Sequence, residues 1–336
     1  MDAFLATSLK LGSKEIKNRL ILSPMAGLTH VVLREVILSF AAPGLLYTEM
    51  CLGTMVPVEN RTKSSVFRWT DEEADILVCQ LVGNEVETMC RAARRVEKEG
   101  LFGVDINMGC SISRIYNKGY GAGLLKTPDL AIDIVKKVKK VVNIPVIVKF
   151  RTGLEDNVQF AKDFALRLED AGADALIYHP RVVSDIRRRR PRWEYIGEVK
   201  KQVTIPVFGN GNVFTGEDVK KILDVSGCDG IALGRIAAVR PWIFAELLKG
   251  FKPDGDTFYF VAKKMLDGCF KNFEPTRAIK LYKKWAVYFF ANFFYANSLL
   301  KKVFKATSYA ELNVVLEDIL IPLPQVLSAP NLNFLR

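Results

Sequence analysis

Histidine is scarce in this sequence: of 336 residues, only His30 and His179 carry an imidazole. The six cysteines, Cys51, Cys79, Cys90, Cys110, Cys228 and Cys269, form no CxxC pair and no disulfide-like framework. With so few imidazoles and no paired thiols, a structural zinc site is not expected and no metal is assigned. The opening MDAFLATSLKLGSKEIKNRL has no uninterrupted apolar core and no small-residue cleavage site, so no secretion signal is read there. Free thiols in a chain so read point to the cytoplasm. A run of about 20 apolar residues, the length that crosses a bilayer, is also missing. The nearest approach, WAVYFFANFFYANSLL at 285–300, is interrupted by two asparagines and flanked by Lys283-Lys284 and Lys301-Lys302. A buried core helix is expected there, not a membrane span.

Acidic residues are in deficit as well. Lys and Arg number 48 against 37 Asp and Glu, a formal net charge of +11. Residues 255–336 hold 11 basic and 6 acidic side chains, so this short stretch carries +5 of the total. Such a balance suggests a polyanionic partner, although solvated lysine faces give the same count.

The chain is long enough, and at 49% hydrophobic apolar enough, to fold a large barrel and a smaller domain without staples. Apolar, β-branched runs recur at 19–23, 44–49, 75–82, 103–107, 145–150, 175–179, 206–210 and 230–234. Continuous apolar runs indicate strands buried on both faces, as in a parallel sheet covered by helices. Helical stretches follow them: EVETMCRAARRVEKEG closes at Gly100, and TPDLAIDIVKKVKKVV opens with Thr127 as N-cap and Pro128 in the first turn. Gly172-Ala173-Asp174 and Gly227-Cys228-Asp229 read as tight helix-to-strand turns. Eight alternations predict an α/β fold closed as a (β/α)₈ TIM barrel over 1–250. After Phe244 the strand signals stop, and 251–336 is expected to be a small all-α domain.

In such a barrel the chemistry sits at the C-terminal ends of the strands. Those ends carry Ser23-Pro24-Met25-Ala26-Gly27, Glu49, Gln80, Asn107 with the Cys110 loop, Lys149 and Arg151, His179, Asn210-Gly211, and Gly234-Arg235. Polar residues at every strand end are not what buried strands show by chance. The glycine turns at 209–212 and 233–235 lie where barrels commonly bind phosphate, and Arg235 adds a cation there. Lys149 interrupts the apolar run Val146-Ile147-Val148-Lys149-Phe150, and a buried lysine needs a negative partner. An anionic reduced flavin, a barrel carboxylate such as Glu49 or Asp105, and a Schiff-base role all remain open for it on these grounds.

The segments SPMAGLT (23–29), DINMGC (105–110), VKFRTG (148–153), FGNGNV (208–213) and LGRIAAVRPWIF (233–244) resemble, in order, those of the tRNA-dihydrouridine synthases. The similarity extends more weakly into the tail through Arg277, Lys280, Lys284 and Trp285. The resemblance implies a flavin mononucleotide (FMN) recharged by NADPH, and reduction of specific uridines in tRNA to 5,6-dihydrouridine. Hydride would pass from flavin N5 to uracil C6, and Cys110 would protonate C5 from the opposite face, which a thiol can do without a histidine. By the same resemblance Pro24, Met25, Ala26, Gln80, Lys149, His179, Asn210, Gly211, Gly234 and Arg235 would line the flavin, and Asn107 and Arg151 would face the uracil. The other five cysteines are read as structural, and His30, placed early in the first helix, has no assigned role.

The sequence departs from the family pattern at three places. Ser111 stands where a proline usually follows the cysteine, Gly119–Gly123 differs from the common small-residue stretch, and His179-Pro180-Arg181-Val182 replaces His-Gly-Arg-Thr. The run Arg187-Arg188-Arg189-Arg190-Pro191-Arg192 follows the sixth strand, so Arg181, Arg187, Arg188 and Arg189 are expected to meet RNA phosphates. A stacked base cannot reach a flavin, so a loop must bind or the uridine must flip out, with the basic tail holding the rest of the tRNA. No stable protein partner is implied, which leaves a monomer open. Rival readings are an FMN-dependent oxidoreductase of small molecules, of the dihydroorotate or enoate type, an RNA-binding relative that has lost catalysis, and a flavin-free lyase or isomerase barrel.

Overall fold

The structure, a computed structural model, describes residues 3–185 and 189–335. Its strands are β1 (Leu9–Leu11), β2 (Lys14–Ile16), β3 (Leu20–Leu22), β4 (Leu46–Leu52), β5 (Leu77–Val82), β6 (Gly103–Met108), β7 (Val146–Gly153), β8 (Ala175–Val182), β9 (Val207–Asn210) and β10 (Gly230–Leu233). The helices are α1 (Val31–Leu38), α2 (Val86–Lys98), α3 (Ser113–Tyr116), α4 (Pro128–Val141), α5 (Val158–Asp170), α6 (Glu194–Gln202), α7 (Gly216–Ser226), α8 (Arg235–Val239) and α9 (Ile243–Lys249), then α10 (Gly255–Asn272), α11 (Pro275–Phe289), α12 (Ala296–Lys305) and α13 (Tyr309–Leu320).

Strands β3 to β10 form one parallel sheet in the order β3-β10-β9-β8-β7-β6-β5-β4. A parallel bridge between Ile21 and Leu45 joins the two end strands, with the Leu22 N–H donating to Leu45 O at 2.9 Å. The sheet is therefore a closed (β/α)₈ barrel, as the spacing of apolar runs predicts, and all eight expected strands are present. The two Gly-x-Asp turns also do what the sequence suggests. Gly172 and Gly227 adopt φ of +95° and +58°. The aspartates beyond them accept the first strand N–H groups, Val146 to Asp174 and Val207 to Asp229, each at 2.8 Å. They fasten the strand starts, at the barrel end where sequence constraint serves stability.

The antiparallel hairpin β1–β2 was not legible in advance. Its strands are three residues long, too short for a period to show, yet Leu11 and Ile16 join the barrel's apolar cluster.

By packing, the described chain divides into a barrel unit of residues 3–24 and 43–233 and a helical unit of 25–42 and 234–335. This line differs from the one drawn at residue 250. Helix α1 groups with the tail because Gly268 of α10 lets Val32 approach so closely that a Cβ there would meet Val32 Cγ1 at 2.4 Å. Trp242, ahead of α9, packs against Phe258 and Phe40 with ring centroids 5.0 and 6.2 Å away.

The aromatic stretch 285–300 is not one helix. Helix α11 stops at Phe289, a 3-10 turn covers Phe290–Asn292, and α12 begins at Ala296. Asn292 ends the helix: its amide donates to Phe289 O and Val239 O, and its Oδ1 accepts from Arg240 Nε at 3.0 Å. Trp285, Phe289, Phe290 and Phe293 are buried, whereas Phe294 and Tyr295 face solvent. Among the described residues, no helix is long and apolar enough to cross a membrane.

Candidate active site

The alternation of strand side chains builds the site. Seven barrel strands contribute an inward apolar residue to one cluster, among them Ile21, Tyr47, Val78, Ile147, Ile177, Phe208 and Ala232. Two residues further along five of these strands stand Ser23, Gln80, Lys149, His179 and Asn210, whereas on β4 a bulge after Tyr47 brings Met50, not Glu49, level with Gln80. The same face thus turns from apolar to polar at the C-terminal rim. Strand β6 departs from this rule: its rim residue is Asn107, but the position two residues below is Asp105, fully buried.

Around β5 and β6 the rim side chains bind one another. The Asn107 amide donates to Gln80 Oε1 at 2.7 Å, and Gln80 Nε2 donates to Asp105 Oδ2 at 2.6 Å. Asn107 Oδ1 accepts the backbone N–H groups of Gly109 and Cys110 at 3.1 and 2.9 Å. Arg151 Nε donates to Gly109 O at 2.7 Å and its Nη1 to Val182 O at 3.2 Å. Asn107 and Arg151, both expected to face a substrate, thus also hold the loop that bears Cys110.

That loop has further support. Cys110 O accepts from the Ala122 N–H at 2.9 Å, and a Cβ on Gly121, whose φ is +59°, would lie 2.8 Å from the same oxygen. The altered segment Gly119–Gly123 therefore packs directly beneath the cysteine. Cys110 is partly accessible, whereas the other five cysteines are buried and chemically quiet.

Lys149 pairs across the sheet with Asn107 in register. Its ammonium donates to Asn210 Oδ1 at 3.1 Å, a neutral partner, and the Asn210 amide is fixed by Ser23 Oγ and Ala232 O at 3.0 and 2.7 Å. Burial pushes Lys149 below the ordinary lysine range and the Arg151 charge adds to that, while Asp105 and Cys110 act in the opposite direction. Asp105 is pushed upward by burial, against the Gln80 hydrogen bond and the Lys149 charge. Of the three readings of Lys149, the carboxylate partner is present as a field and not as an ion pair. The ammonium, bound to a neutral amide, retains the capacity to meet an anion. Beside it, Gly211 adopts φ +122°, and a Cβ there would come within 2.8 Å of the His179 ring. A side chain is thereby excluded between His179 and the backbone.

Of the arginines expected to meet RNA, Arg181, near the end of β8, is placed differently from the expectation. Arg181 is 2% exposed; its guanidinium reaches Asn212 Oδ1 at 3.2 Å, lies 3.4 Å from His179 Nε2 and donates to Arg189 O. Asp185, whose side chain is wholly buried, receives Arg189 and Arg192, each at 2.9 Å, and the Val182 N–H at 3.0 Å. Arg192 also pairs with Asp156 at 2.7 Å. Arg187 and Arg188 lie outside the described residues.

In the helical unit, Met25 O and its N–H close a turn with Thr29, and Ala26 O accepts from Lys284 Nζ at 2.7 Å. Gly234 immediately precedes α8, and Arg235, the first residue of α8, donates to Leu335 O. His30 is the residue before α1, fully buried, with neither ring nitrogen hydrogen-bonded. Burial, with the Arg34, Lys284 and Arg277 charges, holds its pKa down to about 3. On α11 the buried residues Ala278, Leu281, Tyr282, Trp285 and Phe289 form one face, and Arg277, Lys280 and Lys284 line the exposed one. Trp285 locks that helix in place by donating from Nε1 to Ala238 O at 2.9 Å. Two surface hollows of this unit, about 400 and 700 Å³, include none of the expected site residues.

A family model described as "Dihydrouridine synthase (Dus)" matches residues 21–309. The chain belongs to the dihydrouridine synthase family. Among curated relatives, it is 36% identical over 247 residues to a probable tRNA-dihydrouridine synthase 1 of Synechocystis sp., covering 74% of this chain and 69% of the relative. It is 34% identical over 241 residues to tRNA-dihydrouridine synthase B of Pseudomonas putida, covering 72% and 71%. Among solved structures, the old yellow enzyme homologue from Zymomonas mobilis superposes with a TM-score of 0.53 at 16% identity, covering 74% of this chain and 94% of the other. That likeness speaks to the barrel fold. Within the Dus family frame, the residues that sequence reasoning passed over are Thr48, Asp185 and Trp193, and Asp105 was considered only as a partner of Lys149, not of Gln80. Thr48 Oγ1 accepts the Gln80 N–H at 3.1 Å, and Trp193 Nε1 donates to Gly211 O at 2.8 Å. The period of two, counted back from Asn107, was signal enough for Asp105.

Proposed function

We propose that this chain reduces uridines of tRNA to 5,6-dihydrouridine with a bound FMN that NADPH recharges. The observation that carries this reading is the position of Cys110. It is the accessible thiol among six, held by Asn107 and Arg151 on the rim that also bears Lys149. Residues present fit the cofactor: Lys149 offers an ammonium whose hydrogen-bond partner is a neutral amide, and the lack of a side chain at Gly211 lets the His179 ring pack against its backbone. The chemistry supplied by bound FMN is hydride donation, delivered to uracil C6. Lys149, Asn210 and Gly211 would hold the cofactor, with Pro24, Met25, Ala26, Gln80, His179, Gly234 and Arg235 contributing as the resemblance implies. Gln80 would do so with what its amide has left after Asp105 and Asn107. Asn107 and Arg151 would orient the uracil, and Cys110 Sγ would give its proton to C5.

The barrel over 1–250 is the catalytic part in this reading, and the basic tail over 251–336 grips tRNA phosphates, with Arg277 and Lys280 on the exposed face of α11 as the main contacts. Arg181, buried, would order the loop, whereas Arg189 keeps 64% of its side chain exposed and can still touch RNA. The test is a Cys110→Ala enzyme assayed by mass spectrometry of dihydrouridine in tRNA. Loss of a positioned acid lowers turnover by about 10²- to 10⁴-fold. Turnover unchanged in that variant would remove Cys110 from the reaction.

A further inference from the structure

Strand β6 buries a carboxyl two residues below its rim residue Asn107, in register with Gln80 of β5 and Ile147 of β7. The other seven barrel strands turn Ile21, Val78, Ile147, Ile177, Phe208 and Ala232 and the phenol of Tyr47 into the core. A carboxyl in that position needs a reason, since burying it without compensation is unfavourable. We propose that Asp105 is a positioning residue that holds the Cys110 loop through Gln80 and Asn107.

The hydrogen-bond polarity gives this relay a direction. The N–H groups of Gly109 and Cys110 can only donate, so the atom of Asn107 that meets them must be its oxygen. The Asn107 NH₂ then faces Gln80 and must find an acceptor, which is Gln80 Oε1. The Gln80 NH₂ is thereby turned toward β6, where Asp105 Oδ2 accepts it at 2.6 Å. Each amide has one orientation that satisfies the chain, and Asp105 is the acceptor that ends it. An apolar residue at 105 would leave the Gln80 NH₂ buried without an acceptor, and either amide could turn to escape this. The loop would then lose the anchor at its Cys110 N–H.

The other oxygen explains why the group is a carboxyl and what could replace it. Asp105 Oδ1 is buried and has no hydrogen-bond partner, as is true of the Tyr47 hydroxyl, which feels the Asp105 charge. Burial favours the neutral acid, whose proton would sit on Oδ1 while Oδ2 continues to accept. Asparagine reproduces that pattern, with its oxygen toward Gln80 and its NH₂ in place of the protonated Oδ1. Leucine keeps the branched shape, with larger methyl groups in place of the oxygens, but ends the relay. A residue that merely filled the core would tolerate leucine at least as well as asparagine.

That Cys110 acts as the acid rests on the proposed reaction; the relay does not, so its test avoids turnover. The rate of iodoacetamide alkylation at Cys110 is read by mass spectrometry in the full-length protein, the five buried cysteines serving as internal references. Asp105→Leu is expected to alkylate faster by roughly three- to tenfold, the equilibrium worth of one or two lost hydrogen bonds. Asp105→Asn is expected to stay within about twofold of the parent, since it keeps the acceptor. If Asp105→Leu does not fold, Gln80→Leu cuts the relay one step further on and must give the same acceleration. Rates equal to the parent in the folded leucine variant, or an asparagine variant as fast as the leucine one, overturn the proposal. Dihydrouridine formation measured on the same proteins reports separately on the proposed reaction.

Discussion

Two regions of this molecule are rich in positive charge, and they use it in opposite ways. The end of β8 and the segment after it have the denser set of arginines in the sequence, yet Arg181 is buried against backbone and Asn212, and Arg189 and Arg192 converge on the buried carboxylate of Asp185. Helix α11 has a sparser set, Arg277, Lys280 and Lys284 at helical spacing, and presents it on one exposed face. Three arginines of the stretch that looks most charged in sequence, Arg181, Arg189 and Arg192, are thus committed to shaping its own loop. Of the diluted charge, Arg277 and Lys280 are displayed, while Lys284 donates to Ala26 O. Charge density along a chain says little about availability until the counter-charges are located.

Reversing the displayed stripe should break this contrast with the largest effect. Arg277→Glu with Lys280→Glu is expected to weaken tRNA binding about a hundredfold at low salt, and Lys280→Ala alone to lower the salt slope by about one. Filter binding across a salt series measures both, and unchanged slopes would move the tRNA contact away from α11. Asp185→Asn comes next. It removes the acceptor shared by two guanidinium groups and the Val182 N–H, and should destabilise the barrel by about 1.5–3 kcal/mol in urea titrations. Although burial pushes Asp185 up, the bonds from Arg192, Arg189 and Val182 bring it below the ordinary carboxylate range. Its stabilisation is therefore present above about pH 4 and fades on acidification below that.

His30 sharpens the comparison from the other side, because burial, with the cations of its unit adding to it, keeps its ring neutral. Its folded-state pKa near 3 lies below the unfolded value, so the native state resists a proton that the unfolded chain accepts. The His30 contribution should fall as pH drops below about 6.5, by up to about 1.4 kcal/mol per pH unit, so the stability of His30→Phe relative to the parent should rise steadily from pH 6.5 to 4. A difference between the two that stays constant over that range would place a partner on the imidazole. The smallest effect is expected for Arg189→Ala. Its exposed ion pair contributes about 0–1 kcal/mol, so tRNA affinity and stability should both shift by little more than measurement error. A tenfold loss of tRNA affinity would restore the arginine run as the main RNA contact.

The barrel was legible because buried parallel strands leave continuous apolar runs, and all eight left one. The rim was legible at Gln80, Asn107, Lys149, His179 and Asn210 because polar residues interrupt those runs at their ends. What could not be read was which of these groups bind each other. Asn107 and Arg151 read as substrate contacts, yet both also hold the Cys110 loop, a fact carried by backbone atoms that residue types do not encode. Asp185 was invisible for the same reason: one acidic residue beside four arginines gives no hint that it is buried and shared. The break at Asn292 escaped because helix ends made by tertiary hydrogen bonds leave no local mark. The hairpin at Leu9–Ile16 escaped through brevity.

The measurement that bears most directly on the central claim is a visible absorption spectrum of the purified protein under anaerobic conditions, followed through additions of NADPH and then uridine-containing tRNA. The account predicts a flavin band that bleaches with NADPH and returns when tRNA is added. A protein that binds no flavin even after FMN is supplied, or one whose bleached band tRNA does not restore, would contradict it.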